Sequence, residues 1–313
     1  MLRNETKQMP RKTKWMTCFV WSVWCGIFMQ ACSTAPRVIS IPAGSGKPLP
    51  RLRMGADYGE ALGAMTTFMV EDLELPQVEG VVWLYPTRSS FESAVAADYV
   101  NDLNQVEKQF GAKGKEAFEQ TINTRAAQTA ASSIAVGKYR RVLVNEWYFM
   151  RTPWWESIRV LAHELTHTAQ HELVDGKFIA ADRWLVEGFA DWVSYKFLDA
   201  IGIDSFAKSP ERNIDMIASA KQFQTFPSLT QMVSGADWQT WNRTLGPIAT
   251  YSQSFVAVDF LVEKRGLPSV IEYFRLFKKL DNRERNFRTA FGEPVSTFTE
   301  DFNTYLHGLV GKQ

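Results

Sequence analysis

Residues 152–171 read TPWWESIRVLAHELTHTAQH, and residues 184–192 read WLVEGFADW. The first stretch predicts a helix: Thr152 is able to cap it, and Pro153 suits the first helical position, where the missing N–H costs nothing. The second predicts another helix over about Trp184–Leu198, ended by Gly202. Upstream, Val78–Tyr85 (VEGVVWLY) and Arg140–Tyr148 (RRVLVNEWY) carry the β-branched and aromatic residues of strands. Tyr58–Val70 and Ser89–Phe110 have helical spacing. Downstream, helical patterns follow at about 210–222, 250–264, 268–280 and 296–309. Strands first and helices after predict an α+β fold: a small N-terminal mixed sheet with helices, then a mainly helical C-terminal part. The change of character near 150–175 marks a cleft between the two.

Chemistry is concentrated at that change. The chain has four histidines, and three of them fall within residues 163–171. His163 and His167, four apart on a helix, share one face, so both imidazoles reach a single ion. Glu164 is offset by one position, beside the ion rather than on it, where a general base is wanted. Glu187 and Asp191 are also four apart, inside a strongly apolar run, and buried carboxylates need a cation or charged partner to meet them. The assignment is Glu187 as third metal ligand and Asp191 as acceptor of a ligand histidine's N–H. The bland alternative pairs these carboxylates with Arg159 or Arg183 at a solvated edge. His171 lies one further four-residue step along, a rise of about 6 Å and a drift of about 40°, so it is read as surface or second-layer. His307 is read as a surface residue.

His163-Glu164-x-x-His167, nineteen intervening residues, then Glu187 with Asp191 four later, resembles the gluzincin metallopeptidases with thermolysin-like spacing. Residues 184–192, followed by Tyr251-Ser252-Gln253-Ser254-Phe255, are similar to the bacterial peptidase MA-like domains. The resemblance is close over about residues 152–198 and looser elsewhere. It implies a zincin-like fold with one zinc ion in the cleft, and a sheet edge beside the His163–His167 helix that takes an extended peptide or protein substrate. Strand Arg140–Tyr148 would be that edge. It also implies peptide-bond hydrolysis by metal-activated water with Glu164 as general base. Tyr251 is the candidate to aim a hydroxyl at the oxyanion, against a plain packing or capping role.

Composition removes one class of function. The 35 basic and 34 acidic residues give a net charge of +1, but Arg3, Lys7, Arg11, Lys12 and Lys14 face only Glu5 in residues 1–31. Without that segment 30 basic and 33 acidic residues remain, a net of −3 with no electrostatic footprint for nucleic acid. Basic residues up to Lys14, then the apolar run Trp15–Phe28, predict an export signal over residues 1–31 that is short for a membrane span. Ala31-Cys32 resembles a bacterial lipoprotein signal, with Cys32 as the acylated residue and the protein tethered to a membrane facing the periplasm; plain secretion is the alternative. Residues 32–50, rich in Pro, Gly and Ser, read as a flexible tether, and residues 51–313 as the catalytic domain. Cys18, Cys25 and Cys32 are the only cysteines, so none is present beyond residue 32 to ligate a metal or close a disulfide. Deformylase-type chemistry, which needs a cysteine ligand, is disfavoured. A non-catalytic envelope lipoprotein using the fold as a scaffold is the competing function. Trp154, Trp155, Trp184 and Trp192 suit core packing better than an aromatic pocket.

Overall fold

Four short strands position everything that follows. In a computed structural model, β1 (Arg37–Ser40), β2 (Val81–Tyr85), β3 (Ala131–Val136) and β4 (Tyr139–Asn145) form one sheet in the order β1-β2-β4-β3. The structure describes residues 35–46, 48–49, 51–98, 112, 131–136, 139–175, 181–220 and 226–310. The expected signal, residues 1–31, and Cys32 lie outside the described residues. So does most of Ser89–Phe110 beyond Asp98.

The β2–β4 pair is parallel, with Val82 opposite Val142 and Leu84 opposite Val144, and the flanking pairs are antiparallel. The period of two sorts the side chains by face. Val82, Leu84, Val142 and Val144 join the main core. Tyr85 and Leu143 turn the other way, onto Phe91 and Val95 of α2 (Arg88–Asp98). Gly80 precedes β2 because a β-carbon there would meet the Arg140 carbonyl oxygen at 2.5 Å.

Two expectations are corrected by this sheet. Residues 37–40, placed in a flexible tether, pair with β2 instead; the RVIS stretch is a strand made by a long-range partner, not by its own sequence. The strand expected over Arg140–Tyr148 runs from Tyr139 to Asn145 and is interior, between β2 and β3, so it is not the edge. Asn145 ends it, accepting from the Tyr148 N–H and opening the short helix α3 (Glu146–Phe149). The edge on that side is β3, which lies against the His163–His167 helix.

The remaining described elements are helical. α1 (Tyr58–Thr67) runs into a widened turn, Phe68–Asp72. α4 (Trp154–Leu173) and α5 (Arg183–Ala200) carry the candidate site. Then come α6 (Ser209–Ser219), α7 (Gly235–Leu245), α8 (Pro247–Arg265), α9 (Leu267–Leu276), α10 (Arg283–Phe291) and α11 (Val295–Val310). The class is therefore mixed α+β, mostly helical, with a small sheet near the N-terminal side. No helix among the described residues is long and apolar enough to cross a membrane.

Large aromatics fill the helical part. Trp184, Phe189, Phe255, Tyr273, Phe274, Phe287 and Phe298 are all fully buried, and each contributes roughly 1.5–3 kcal/mol relative to exposure. Trp184 stacks on Phe298 at 5.8 Å, and Trp192 is buried, so both serve the core. Trp155 departs from that expectation and is 39% exposed.

Candidate metal centre

Helix α4 starts one residue later than expected. Pro153 sits just outside it, its carbonyl accepting from Glu156 and Ser157. Thr152 does not cap; its hydroxyl turns back to the Phe149 carbonyl at 3.2 Å and to Ser157 at 3.0 Å. Just before helix α5 stands Asp182, whose carboxylate accepts from the Tyr273 hydroxyl at 3.0 Å and lies 3.0 Å from Arg283. With that side chain engaged elsewhere, the first free N–H groups, of Arg183 and Trp184, donate to the carbonyls of Val233 and Met232. The start of the Glu187 helix is thus tied to three later segments.

Farther along, α5 presses on α8 at Gly188. A methyl group there would collide with the Ser254 carbonyl, so glycine beside Glu187 is what allows the two backbones to approach. The same contact brings Tyr251, one turn into α8, to the site.

Three side chains then converge. His163 Nε2 lies 3.1 Å from His167 Nε2, and Glu187 Oε2 lies 3.3 Å from the first and 3.5 Å from the second. Together they are the one group among the described residues arranged to hold a metal ion. Donors about 2.0–2.2 Å from a shared tetrahedral ion stand roughly 3.3–3.6 Å apart, a spacing that this triangle approaches. Glu187 is 2% exposed.

The opposite ring nitrogens are both occupied. His163 Nδ1 lies 2.8 Å from Asp191 Oδ1, and His167 Nδ1 lies 2.8 Å from Gln170 Oε1. Gln170 Nε2 donates to the Val186 carbonyl at 3.0 Å, which fixes its amide so that the oxygen faces the ring. Each Nδ1 is therefore the N–H of its imidazole, and in the neutral rings each Nε2 carries a lone pair. Two lone pairs and a carboxylate oxygen within a few ångströms, largely out of water, are a poor arrangement unless a cation joins them. The donor set of two imidazoles and one carboxylate, with no thiolate, fits zinc with an open position.

Electrostatics agree. Burial opposes charge on His163, yet Asp191, with Glu187 behind it, carries its pKa up to about 10. Burial likewise works against the Glu187 carboxylate, but Arg183 first and then the two histidines hold it well below the usual carboxylate range. Without a metal, protons and Arg183 supply the positive charge that this cluster requires.

Both readings of the arginines hold in part. Arg183 pairs with Glu187 Oε1, and Arg159 lies 3.0 Å from Asp191 Oδ1 while gripping both Glu156 oxygens. The carboxylate end of each contact is buried and also faces a histidine, while Arg183 reaches in from a partly exposed position. One carboxylate oxygen of Glu187 serves the arginine and the other the imidazoles.

Glu164 is half-buried on the same helix. Tyr251 has its ring 6.0 Å from His163 and edge-on to Trp238 at 5.0 Å. Burial, followed by Glu187, pushes its phenol well above the ordinary value, with Asp191 and Glu164 adding to the effect. It remains a proton donor at neutral pH. His171 lies outside the donor triangle, and His307 is exposed on α11.

Gln170 is the partner that the sequence did not suggest. Gln170 is three residues past His167, hence on the same face, which is the signal that could have found it. It should act as a clamp between α4 and α5. If the group holds a metal ion, Gln170→Leu is expected to weaken its binding about 10–100-fold, the usual cost of losing an outer partner of a ligand histidine. Titration against a chromophoric chelator measures it, and an unchanged affinity would show that the amide does not orient His167.

No family model matches this sequence, and no solved structure matches it. A curated relative, the uncharacterized protein YhcO of Bacillus subtilis (strain 168), is 24% identical over 147 residues. That match covers 46% of this chain, and the chain spans about two fifths (39%) of the relative's length.

Proposed function

We propose that this chain is a zinc-dependent peptidase of the zincin type, with His163, His167 and Glu187 holding one ion. The observation that carries the reading is the convergence of two imidazole Nε2 atoms and one carboxylate oxygen, with both Nδ1 atoms held from behind. Zinc bound there supplies Lewis acidity, which polarises a carbonyl and acidifies water.

The chain's own residues do the rest. Glu164, one position past His163, accepts a proton from the attacking water and returns it to the leaving nitrogen. Asp191 and Gln170 hold the rings in the required tautomer and orientation. Arg183 keeps Glu187 ionised. Tyr251, a protonated phenol beside His163, is placed to donate to the oxyanion. Edge strand β3, lying against α4, offers unpaired backbone groups to an extended peptide, the role expected of residues 140–148.

We further read the protein as a lipid-anchored component of a bacterial envelope, from the Ala31-Cys32 signal pattern. The peptidase reading is tested by screening a broad peptide library with the zinc-loaded protein. Cleavage that a chelator abolishes and zinc restores is the expected result. A protein that holds zinc but cleaves nothing would favour the scaffold instead.

A further inference from the structure

We propose that the protein has a second membrane contact, an aromatic and basic face that rests on an anionic lipid surface. Eight large apolar side chains stand out as exposed among the described residues, and five of them are Met54, Trp147, Tyr148, Met150 and Trp155. These five come from three segments joined by direct contacts. Trp154 Nε1 donates to the Ala56 carbonyl at 3.1 Å, which ties the start of α4 to the turn bearing Met54. Tyr58 packs on Phe149 with ring centres 5.8 Å apart, which ties that turn to α3. Thr152 and Ser157 link the α3–α4 turn to the first turn of α4 at 3.0 Å.

The composition of the face identifies its occupant. Trp and Tyr offer an apolar body and a polar edge, the combination that settles at the headgroup level of a bilayer. Arg151 lies over the Trp147 ring at 4.0 Å, so its charge sits on an aromatic plane that can enter the interface with it. Exposed Arg51 and Arg53 lie just before Met54. Of the acids at this face, Asp57 and Glu146 are met by Arg37 at 4.0 and 2.9 Å, and Glu156, next to Trp155, is met by Arg159 at 2.7 Å. What is left is an excess of positive charge among aromatics, complementary to anionic headgroups rather than to an apolar protein groove.

Chain connectivity points the same way. Arg37 binds Glu146, the neighbour of Trp147, and it lies only five positions after Cys32. Five residues reach at most about 18 Å. An acyl group at Cys32 therefore holds this end of the domain near the lipid surface. This last argument rests on the anchor reading; the face itself does not.

The test separates the two. All core residues lie between Ile41 and Leu306, within the compact unit Ser33–Gln313, so that unit carries its own core and can be made without Cys32. It should co-float with vesicles of phosphatidylethanolamine and phosphatidylglycerol, and much less with pure phosphatidylcholine. Trp147→Ser/Trp155→Ser should weaken the partition at least tenfold. Met54→Glu/Met150→Glu, which alters only exposed flexible side chains, should do the same, and Met216→Ser, exposed on α6, should not. Absence of flotation by the wild-type unit would overturn the proposal, as would equal losses in the Met216 control. Self-association of the wild type that the double variants abolish would also overturn it, in favour of a second copy as occupant. Lipid attachment is read independently from the mass of the full-length protein, so either result can fail alone.

Discussion

Glu164→Gln is expected to abolish most peptidase activity while leaving zinc content and thermal stability close to wild type. Glutamine keeps the size and shape of the side chain but cannot take a proton from water. Glu164 stands one residue past His163, offset from the face that carries both Nε2 atoms, so it is not needed to hold the ion. Loss of a general base typically lowers the rate by about 10²–10⁴-fold. The measurement is kcat on a peptide found by library screening, with metal content determined on the same preparation. Tyr251→Phe should cost less, in kcat rather than KM, if the phenol meets the oxyanion. A Glu164→Gln protein that keeps full activity would remove Glu164 from the reaction.

Arg183→Met should destabilise the metal-free protein far more than the zinc-loaded one. Glu187 is 2% exposed, and Arg183 is its strongest charge partner. Removing one member of a buried pair typically costs about 3–5 kcal/mol, because the other charge is left uncompensated. Arg183 is itself 38% exposed, so roughly 1–3 kcal/mol is the better expectation here. On the proposed function, zinc at the histidine-facing oxygen would supply the missing positive charge, and the difference should then shrink to under about 1 kcal/mol. Thermal melts with chelator and with excess zinc read both numbers, at a few degrees per kcal/mol for a chain of this size. Equal losses with and without zinc would show that the arginine acts only as a structural brace.

The pairing of His163 with His167 was legible in the sequence because its geometry is local. Two residues four apart on a helix must share a face, whatever the rest of the fold does. Glu187 and Asp191 were legible for the energetic reason that apolar runs do not carry carboxylates without a cation nearby. The same argument could not tell arginine from histidine as the partner, and the structure uses both.

What was missed depends on distant contacts. Strand β3 reads Ala-Ser-Ser-Ile-Ala-Val, too weak in β-branched and aromatic residues to stand out, and it pairs only because β4 follows as its hairpin partner. The RVIS strand sits among prolines and glycines that suggest a linker. Helix α10, Arg-Glu-Arg-Asn-Phe-Arg-Thr-Ala-Phe, looks too polar for a packed helix. It is held by Phe287 and Phe291, which close on Tyr273 at 5.8 and 5.6 Å. Helix α7 did carry a local signal, the Ser234–Asp237 capping box that opens it.

The central claim is that His163, His167 and Glu187 form one zinc site, and equilibrium zinc content tests it most directly. The unit Ser33–Gln313, dialysed against buffered zinc, should hold about one ion per chain, and His163→Ala/His167→Ala should hold almost none. A wild type that stays empty, or a double variant that keeps its full complement of zinc, would contradict the account.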